Sequence, residues 1–237
     1  MRIDAPDEVR ALPQTDILAE GLQRLCRTDP AIENIINCRF DTVVSLLSCY
    51  AAEIEKYNPA LSLVGTDDRR ELIIRHVLDS LAPLGIISRK CDVSRVADVG
   101  SGAGLPGIPL AVALPDSKLT LIERKGRRAG FLRETQAELG LPNVTVEEEE
   151  MEKVRPGRFS LVVFRAFRPL EPKILKKLFR LCAGGGVLAA YKGRFAKTET
   201  EVRALEEALP DFAGRWEIIP CTVPMLDEER HLLLLYL

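Results

Sequence analysis

Apolar positions along this chain change their period near residue 95. From Phe40, apolar side chains recur at Val43, Val44, Leu46, Leu47, Tyr50, Ala51, Ile54 and Tyr57. That spacing predicts a helix, ended at Asn58-Pro59, because the residue before a proline is pushed out of helical conformation. Asp67 and Asp68 suit a first helical turn, where acids meet the positive end of the helix dipole. A second helix is therefore predicted over "ELIIRHVLDSLAPL", breaking near Pro83. Before Phe40 the periodicity is weak. One short helix near Ile17–Leu25 is expected there, in an otherwise loosely packed extension.

Beyond residue 95, short β-branched runs alternate with helical patterns. "RVADVG" precedes a helix over Leu105–Leu114, and "KLTLIE" precedes one over Gly126–Leu139. "NVTVEE" and "SLVVFR" follow, then a helix over Leu170–Leu181, "GVLAAYKG" and a helix over Thr198–Leu209. Alternating strands and helices predict a doubly wound, mostly parallel sheet. The last two strands, "RWEIIPCTV" and "HLLLLYL", have only a loop between them. They must pair antiparallel, since a parallel crossover needs about a dozen residues. The expected organisation is an N-terminal extension over 1–38, a helical cap over 39–94 and a ligand-binding α/β domain over 95–237.

Composition narrows the class. Of 237 residues, 46% are apolar, enough for a sizeable core, and no apolar run is long enough to span a bilayer. The first 20 residues lack the apolar stretch of a signal peptide. Six cysteines lie far apart without a C-x-x-C pair, which predicts reduced, mostly buried thiols and a cytoplasmic location. With only two histidines, His76 and His231, no multi-histidine metal site is expected. The formal net charge is −2, yet the cations gather. Arg124, Lys125, Arg127 and Arg128 follow one predicted strand. Arg165, Arg168, Lys173, Lys176, Lys177 and Arg180 follow another, and Lys192, Arg194 and Lys197 a third. Each cluster alone reads as a solvated helix face; three of them at strand ends suggest a polyanionic partner.

The richest chemistry lies in "ADVGSGAGLPGIPLAVALP", which carries four glycines in eight residues. Two patterns fit. "GAGLPG" (Gly102, Gly104, Gly107) matches the dinucleotide fingerprint G-x-G-x-x-G. "DVGSGAG" (Asp98, Gly100, Gly102, Gly104) matches the D-x-G-x-G-x-G pattern of S-adenosylmethionine-dependent methyltransferases. Position favours the second. The strand runs directly into Gly100, and Pro106 and Pro109 withhold the N–H donors that a pyrophosphate wants. Asp98 suits a cationic ligand or caps the turn, and one carboxylate can do both. Glu123, closing the second strand, stands where either pattern places a ribose-binding acid.

The chain closely resembles the bacterial family of small-subunit ribosomal RNA guanine-N7 methyltransferases, called GidB or RsmG. The resemblance runs from about Tyr57 to the C-terminus and rests on "RHVLDSLAPL", "DVGSGAGLPGIPLA", "LIERKGRRAGFLRE", "FRAF", "YKGR" and "VPMLDEERHL", in that order. It implies a Rossmann-like S-adenosylmethionine-dependent methyltransferase fold, with a seven-stranded sheet, one antiparallel C-terminal strand and the N-terminal helical cap. It implies S-adenosyl-L-methionine as cofactor and 16S ribosomal RNA, or the small ribosomal subunit, as partner. The family's cofactor contacts fall on Gly100, Leu105, Met151, Glu152 and Arg165, with Glu123 in the ribose-acid place. Asp98, Ser101, Gly102 and Gly104 complete the expected cofactor loop.

Guanine N7 carries an in-plane lone pair and no proton, so its methylation needs alignment rather than a general base. The sequence agrees: the place of an Asp/Asn-Pro-Pro-aromatic motif reads "FRAFRP", and no suitably placed cysteine follows the fourth or fifth strand. Arg165 and Lys192 are the catalytic candidates. Arg127, Arg128, Phe167, Arg168 and Arg194 are the substrate-binding ones, with Phe167 able to stack on an extruded base or simply to pack. His76 and Asp79, one helical turn apart, read as a pair tying cap to core, and His231 as organising the last hairpin. A monomer is expected. Three other readings stay open at this level: a methyltransferase for another RNA position or a small molecule, a nicotinamide-dependent oxidoreductase, and a cofactor-binding protein without turnover.

Overall fold

The computed structural model describes residues 14–165 and 170–236. Seven strands form one sheet in the order β3-β2-β1-β4-β5-β7-β6. β1 (Arg95–Val99), β2 (Lys118–Ile122), β3 (Val144–Glu147), β4 (Phe159–Arg165) and β5 (Cys182–Lys192) run parallel. β7 (His231–Tyr236) is antiparallel to both β5 and β6 (Trp216–Pro220). The sheet and its reversed C-terminal strand are as the alternating pattern predicts.

Strand periodicity divides the core in two. Along β7, Leu232 and Leu234 face one apolar layer, and Leu233 and Leu235 face the other. Because a sheet side chain alternates sides at every residue, continuous apolar strands such as "HLLLLY" must be covered on both faces. α9 (Pro172–Leu181) and α10 (Phe195–Ala208) cover one face. The other receives α7 (Gly107–Ala113), α8 (Gly126–Glu138) and the helices that precede β1.

Those preceding helices depart from expectation. α1 (Gln14–Thr28) and α2 (Pro30–Ile36) are packed, not loose: Leu18, Leu22, Leu25, Ile32 and Ile36 are all buried. Leu18, Leu22 and Leu25 recur at helical spacing, a stripe that polar neighbours mask in a short window. α1 also approaches the cap closely; a Cβ on Gly21 would lie 2.3 Å from Leu78 Cδ1. α3 (Phe40–Leu61) runs past Pro59 by one turn. The buried Asn58 side chain organises the exit, accepting from the N–H groups of Leu63 and Val64 at 2.9 Å each.

The second predicted cap helix is not uniform. α4 (Arg69–Leu72) passes into a π-helical turn over Ile73–Leu78, then α5 (Asp79–Leu81) and, past Pro83, α6 (Leu84–Lys90). A π turn leaves main-chain carbonyls outside the ordinary i to i−4 ladder. The thiols differ too. Cys182 is buried, Cys26, Cys91 and Cys221 are half-buried, and Cys38 and Cys49 are exposed. Cys49 lies between the buried Leu47 and Tyr50 on α3, on the helix face turned to solvent.

Candidate functional site

The site is built at the carboxyl end of β1, where the chain turns through the glycine loop into α7. Two close approaches explain the glycines best. Gly104 has φ +87°, and a Cβ there would sit 2.6 Å from Ile108 Cγ1. At Gly107 a Cβ would fall 2.3 Å from Leu121 Cδ2 and 2.7 Å from Asp98 Oδ2. Only hydrogen fits, so α7 starts directly against β1 and β2. Asp98 is buried, and its Oδ2 accepts from the Gly107 N–H at 3.0 Å. The turn-capping role of Asp98 is therefore filled. Its Oδ1 has no partner among the described residues. Burial pushes its pKa up to about 7, against the Gly107 hydrogen bond and the Arg165 charge. The Ser101 hydroxyl donates to the Asp98 carbonyl at 2.8 Å.

Glu123 is fixed from the other side. Its Oε2 accepts from the Gly102 N–H at 3.0 Å, and its Oε1 from the Lys125 N–H at 2.8 Å. Each oxygen keeps a second acceptor direction, so the carboxylate is oriented by backbone and still available. The loop is braced from the cap as well: the fully buried Tyr50 donates its hydroxyl to the Ala103 carbonyl at 2.7 Å.

A cavity of about 550 Å³ opens along this edge. Gly100, Glu123, Met151, Glu152 and Arg165 all line it, five residues spread over 66 positions of sequence. Asp98, Ser101, Gly102, Gly104 and Leu105 lie behind its wall, in the loop that shapes it, with Leu105 buried in the core. Met151 and Glu152 are held by Arg180, whose Nη2 donates to the carbonyls of Met151, Glu152 and Val154 at 2.8, 2.7 and 2.9 Å.

Arg165 closes β4 and separates this cavity from a smaller one of about 150 Å³, lined also by Lys192, Gly193, Arg230 and His231. Its guanidinium is anchored on the π turn. Nη1 donates to Asp79 Oδ2 at 3.2 Å and to the His76 carbonyl at 3.4 Å, while Nη2 donates to His76 Nδ1 at 3.0 Å. Arginine has no acceptor, so His76 receives this bond on an unprotonated Nδ1. Burial first, then the Arg165 charge, lowers the His76 pKa to about 4, which keeps it neutral. Asp79 also meets Arg230 Nε at 3.2 Å. Burial raises the Asp79 pKa, and the two guanidinium groups oppose that. The expected cap-to-core tie between His76 and Asp79 thus runs through Arg165.

The other predicted residues divide. Lys192 pairs with Glu201 Oε2 at 2.7 Å. Arg127 and Arg128 donate to the carbonyls of Ala60 and Ser62 at 3.2 and 3.0 Å, capping the end of α3. Lys177 is paired with Glu152. Arg124, Lys125, Lys173, Lys176, Arg194 and Lys197 are exposed and have no side-chain partner among the described residues. Phe167 and Arg168 lie outside the described residues. His231 does organise the last hairpin, with Nδ1 2.7 Å from the Gly193 carbonyl. Tyr50, Arg180 and Arg230 escape a reading by motif, because each acts on backbone or charge far away in sequence.

The switch-point cavity, the glycine turn and the acid closing β2 define the class: a Rossmann-like, S-adenosylmethionine-dependent methyltransferase. The residues fit the group. A ligand-sized cavity, an oriented carboxylate at its wall and one orphaned buried carboxylate oxygen beside the loop suit a ribose-bearing cationic ligand. Among solved structures, the O-methyltransferase TomG from Streptomyces achromogenes, determined with S-adenosylmethionine, has a TM-score of 0.54 at 21% identity. The match covers 81% of this chain and 89% of that one. Residues 44–221 match the GidB family model, rRNA small subunit methyltransferase G, and the chain belongs to that family. Ribosomal RNA small subunit methyltransferase G of Treponema pallidum (strain Nichols) is 36% identical over 229 residues, 94% of each chain. Its counterpart in Nitrosospira multiformis is 40% identical over 194 residues, 78% of this chain and 85% of that one.

Proposed function

We propose that this protein transfers a methyl group from S-adenosylmethionine to N7 of a guanine in 16S ribosomal RNA, acting in the cytoplasm as a monomer. The observation that carries the reading is the gathering of Gly100, Glu123, Met151, Glu152 and Arg165 around one cavity at the carboxyl edge of the sheet. Bound there, S-adenosylmethionine supplies an electrophilic methyl group on a sulfonium. Glu123 receives ribose hydroxyls, and the turn at Met151 and Glu152, clamped by Arg180, closes the cavity beside it. Arg165 keeps Nε–H and one Nη2–H unengaged among the described residues. Those donors serve an amino-acid carboxylate or the O6 edge of guanine.

The chain's own groups favour a nucleophile that needs no deprotonation. His76 is neutral, yet its Nδ1 lone pair is spent on Arg165. Asp79 is held between two guanidinium groups. Neither is free to take a proton, and N7 has none to give. The work left to the protein is alignment, worth several kcal/mol of barrier when reacting atoms are held about 3 Å apart. The exposed cations at Arg124, Lys125, Lys173, Lys176, Arg194 and Lys197 would meet the phosphates.

Nucleoside mass spectrometry of small-subunit RNA tests the assignment. Cells lacking the gene should lose one 7-methylguanosine from that RNA and regain it from a plasmid copy. An unchanged 7-methylguanosine content would overturn it.

A further inference from the structure

Among the described residues, Phe195 is the one large apolar side chain that is exposed, at 42%. It opens α10 directly after the carboxyl end of β5, on the edge that carries Arg165. A fold that buries nearly every other large apolar group leaves this ring in solvent, and it does so beside the smaller cavity.

The ring is held rather than loose. Its backbone N–H donates to Glu229 Oε2 at 2.9 Å. The His231 ring stands against it, with centroids 5.6 Å apart and planes at 60°. His231 is itself pinned: a carbonyl can only accept, so its Nδ1–H donates to Gly193 O at 2.7 Å. Gly193 and His231 both line the cavity that reaches Arg165. An edge-to-face neighbour of this kind orients an aromatic ring, and a pre-oriented ring loses little entropy when a ligand stacks on it.

The charges around the ring choose the partner. The nearby acids are occupied: Glu201 binds Lys192, Glu228 binds Arg75 and Arg230, and Glu229 caps Phe195. Arg194 and Lys197, flanking the ring in sequence, are exposed and unpaired among the described residues. A single ring is far too small for a protein interface, which buries about 1,000 Å² or more. It is the right size for one nucleobase. An aromatic face with uncompensated cations on both sides is how proteins hold unpaired bases of single-stranded nucleic acid.

We propose that Phe195, braced by His231, is a stacking platform for an unpaired base of the RNA substrate, with Arg194 and Lys197 on the adjoining phosphates. This rests on the RNA reading given above. The test compares Phe195→Ala, Phe195→Leu and Phe195→Trp with the parent, reading KM for small-subunit RNA and Kd for S-adenosylmethionine. Stacking on an aromatic ring is worth about 1–3 kcal/mol per base, or roughly 5- to 150-fold. Phe195→Ala and Phe195→Leu should both raise the RNA KM by a factor in that range. Phe195→Trp should restore it, and cofactor Kd should stay within about twofold. RNA should also quench the fluorescence of Phe195→Trp beyond that of the parent, whose one tryptophan is Trp216. If the parent methylates RNA and Phe195→Ala keeps its KM, the platform is wrong while the RNA reading stands. If Phe195→Leu matches the parent, the ring merely packs and stacking is overturned. A parent that neither binds nor methylates RNA overturns both.

Discussion

Glu123 and Asp98 are both carboxylates in the glycine turn, and their surroundings give them opposite work. Each Glu123 oxygen holds one backbone N–H and has room for another donor. Hydrogen bonds to a charged group are worth about 1.5–3 kcal/mol each. Glu123→Ala should therefore weaken S-adenosylmethionine binding by roughly ten- to a thousand-fold; an unchanged affinity by calorimetry would remove Glu123 from the site. Asp98 is spent on Gly107 and carries a pKa of about 7, above its unfolded value of about 3.9. Between those values the native state binds the extra proton, so stability falls as pH rises, by up to about 1.4 kcal/mol per pH unit. Asp98 contributes no such loss below about pH 4, and its full loss above about pH 7. In denaturant titrations of the free protein, Asp98→Asn should flatten this slope between pH 4 and 7. Equal slopes in variant and parent would show that Asp98 does not titrate there. The motif alone names both acids, but not which oxygen is occupied. That depends on Gly107, whose lack of a side chain lets the helix start within hydrogen-bond reach.

At the scale of elements, what was legible was what repeats. The period-two apolar runs and the reversal at the end of the chain place all seven strands, since each must be covered on both faces. Irregular elements were not legible. The π turn over Ile73–Leu78 leaves no mark in apolar spacing, yet it turns the His76 carbonyl toward Arg165. α1 and α2 carry too few apolar residues for a short window, and their burial depends on a surface that the cap supplies. Contacts between elements were equally hidden: Tyr50 and Ala103 are 53 residues apart. Tyr50→Phe keeps the ring and leaves the Ala103 carbonyl without its donor. The expected loss is about 1–3 kcal/mol, a fall in Tm of about 2–10 °C for a chain of this size, with weaker cofactor binding because the loop is released. A variant with parental Tm and parental cofactor Kd would show that α3 does not brace the loop. Arg127 and Arg128, which the sequence offers as RNA contacts, cap α3 instead. A carbonyl at the end of a distant helix cannot be read from the run that reaches it.

At the scale of the whole molecule, a net charge of −2 hides a sorted surface. The exposed, unpaired cations belong to segments that follow β2, β4 and β5, strands whose carboxyl ends share one edge of the sheet. RNA affinity should fall with salt. Lys173→Ala/Lys176→Ala should flatten the slope of log affinity against log salt by about 1.4–1.8, or 0.7–0.9 per contact, with cofactor affinity unchanged. An unaltered slope would remove α9 from the RNA surface. The central claim is chemical, and one measurement reaches it directly. Purified protein, small-subunit RNA lacking the modification and S-adenosylmethionine labelled in its methyl group are incubated together, and the RNA is digested to nucleosides for mass spectrometry. The label should appear in 7-methylguanosine, one per RNA molecule, and should be lost with Glu123→Ala. Label in any other nucleoside, or in none, would contradict the account.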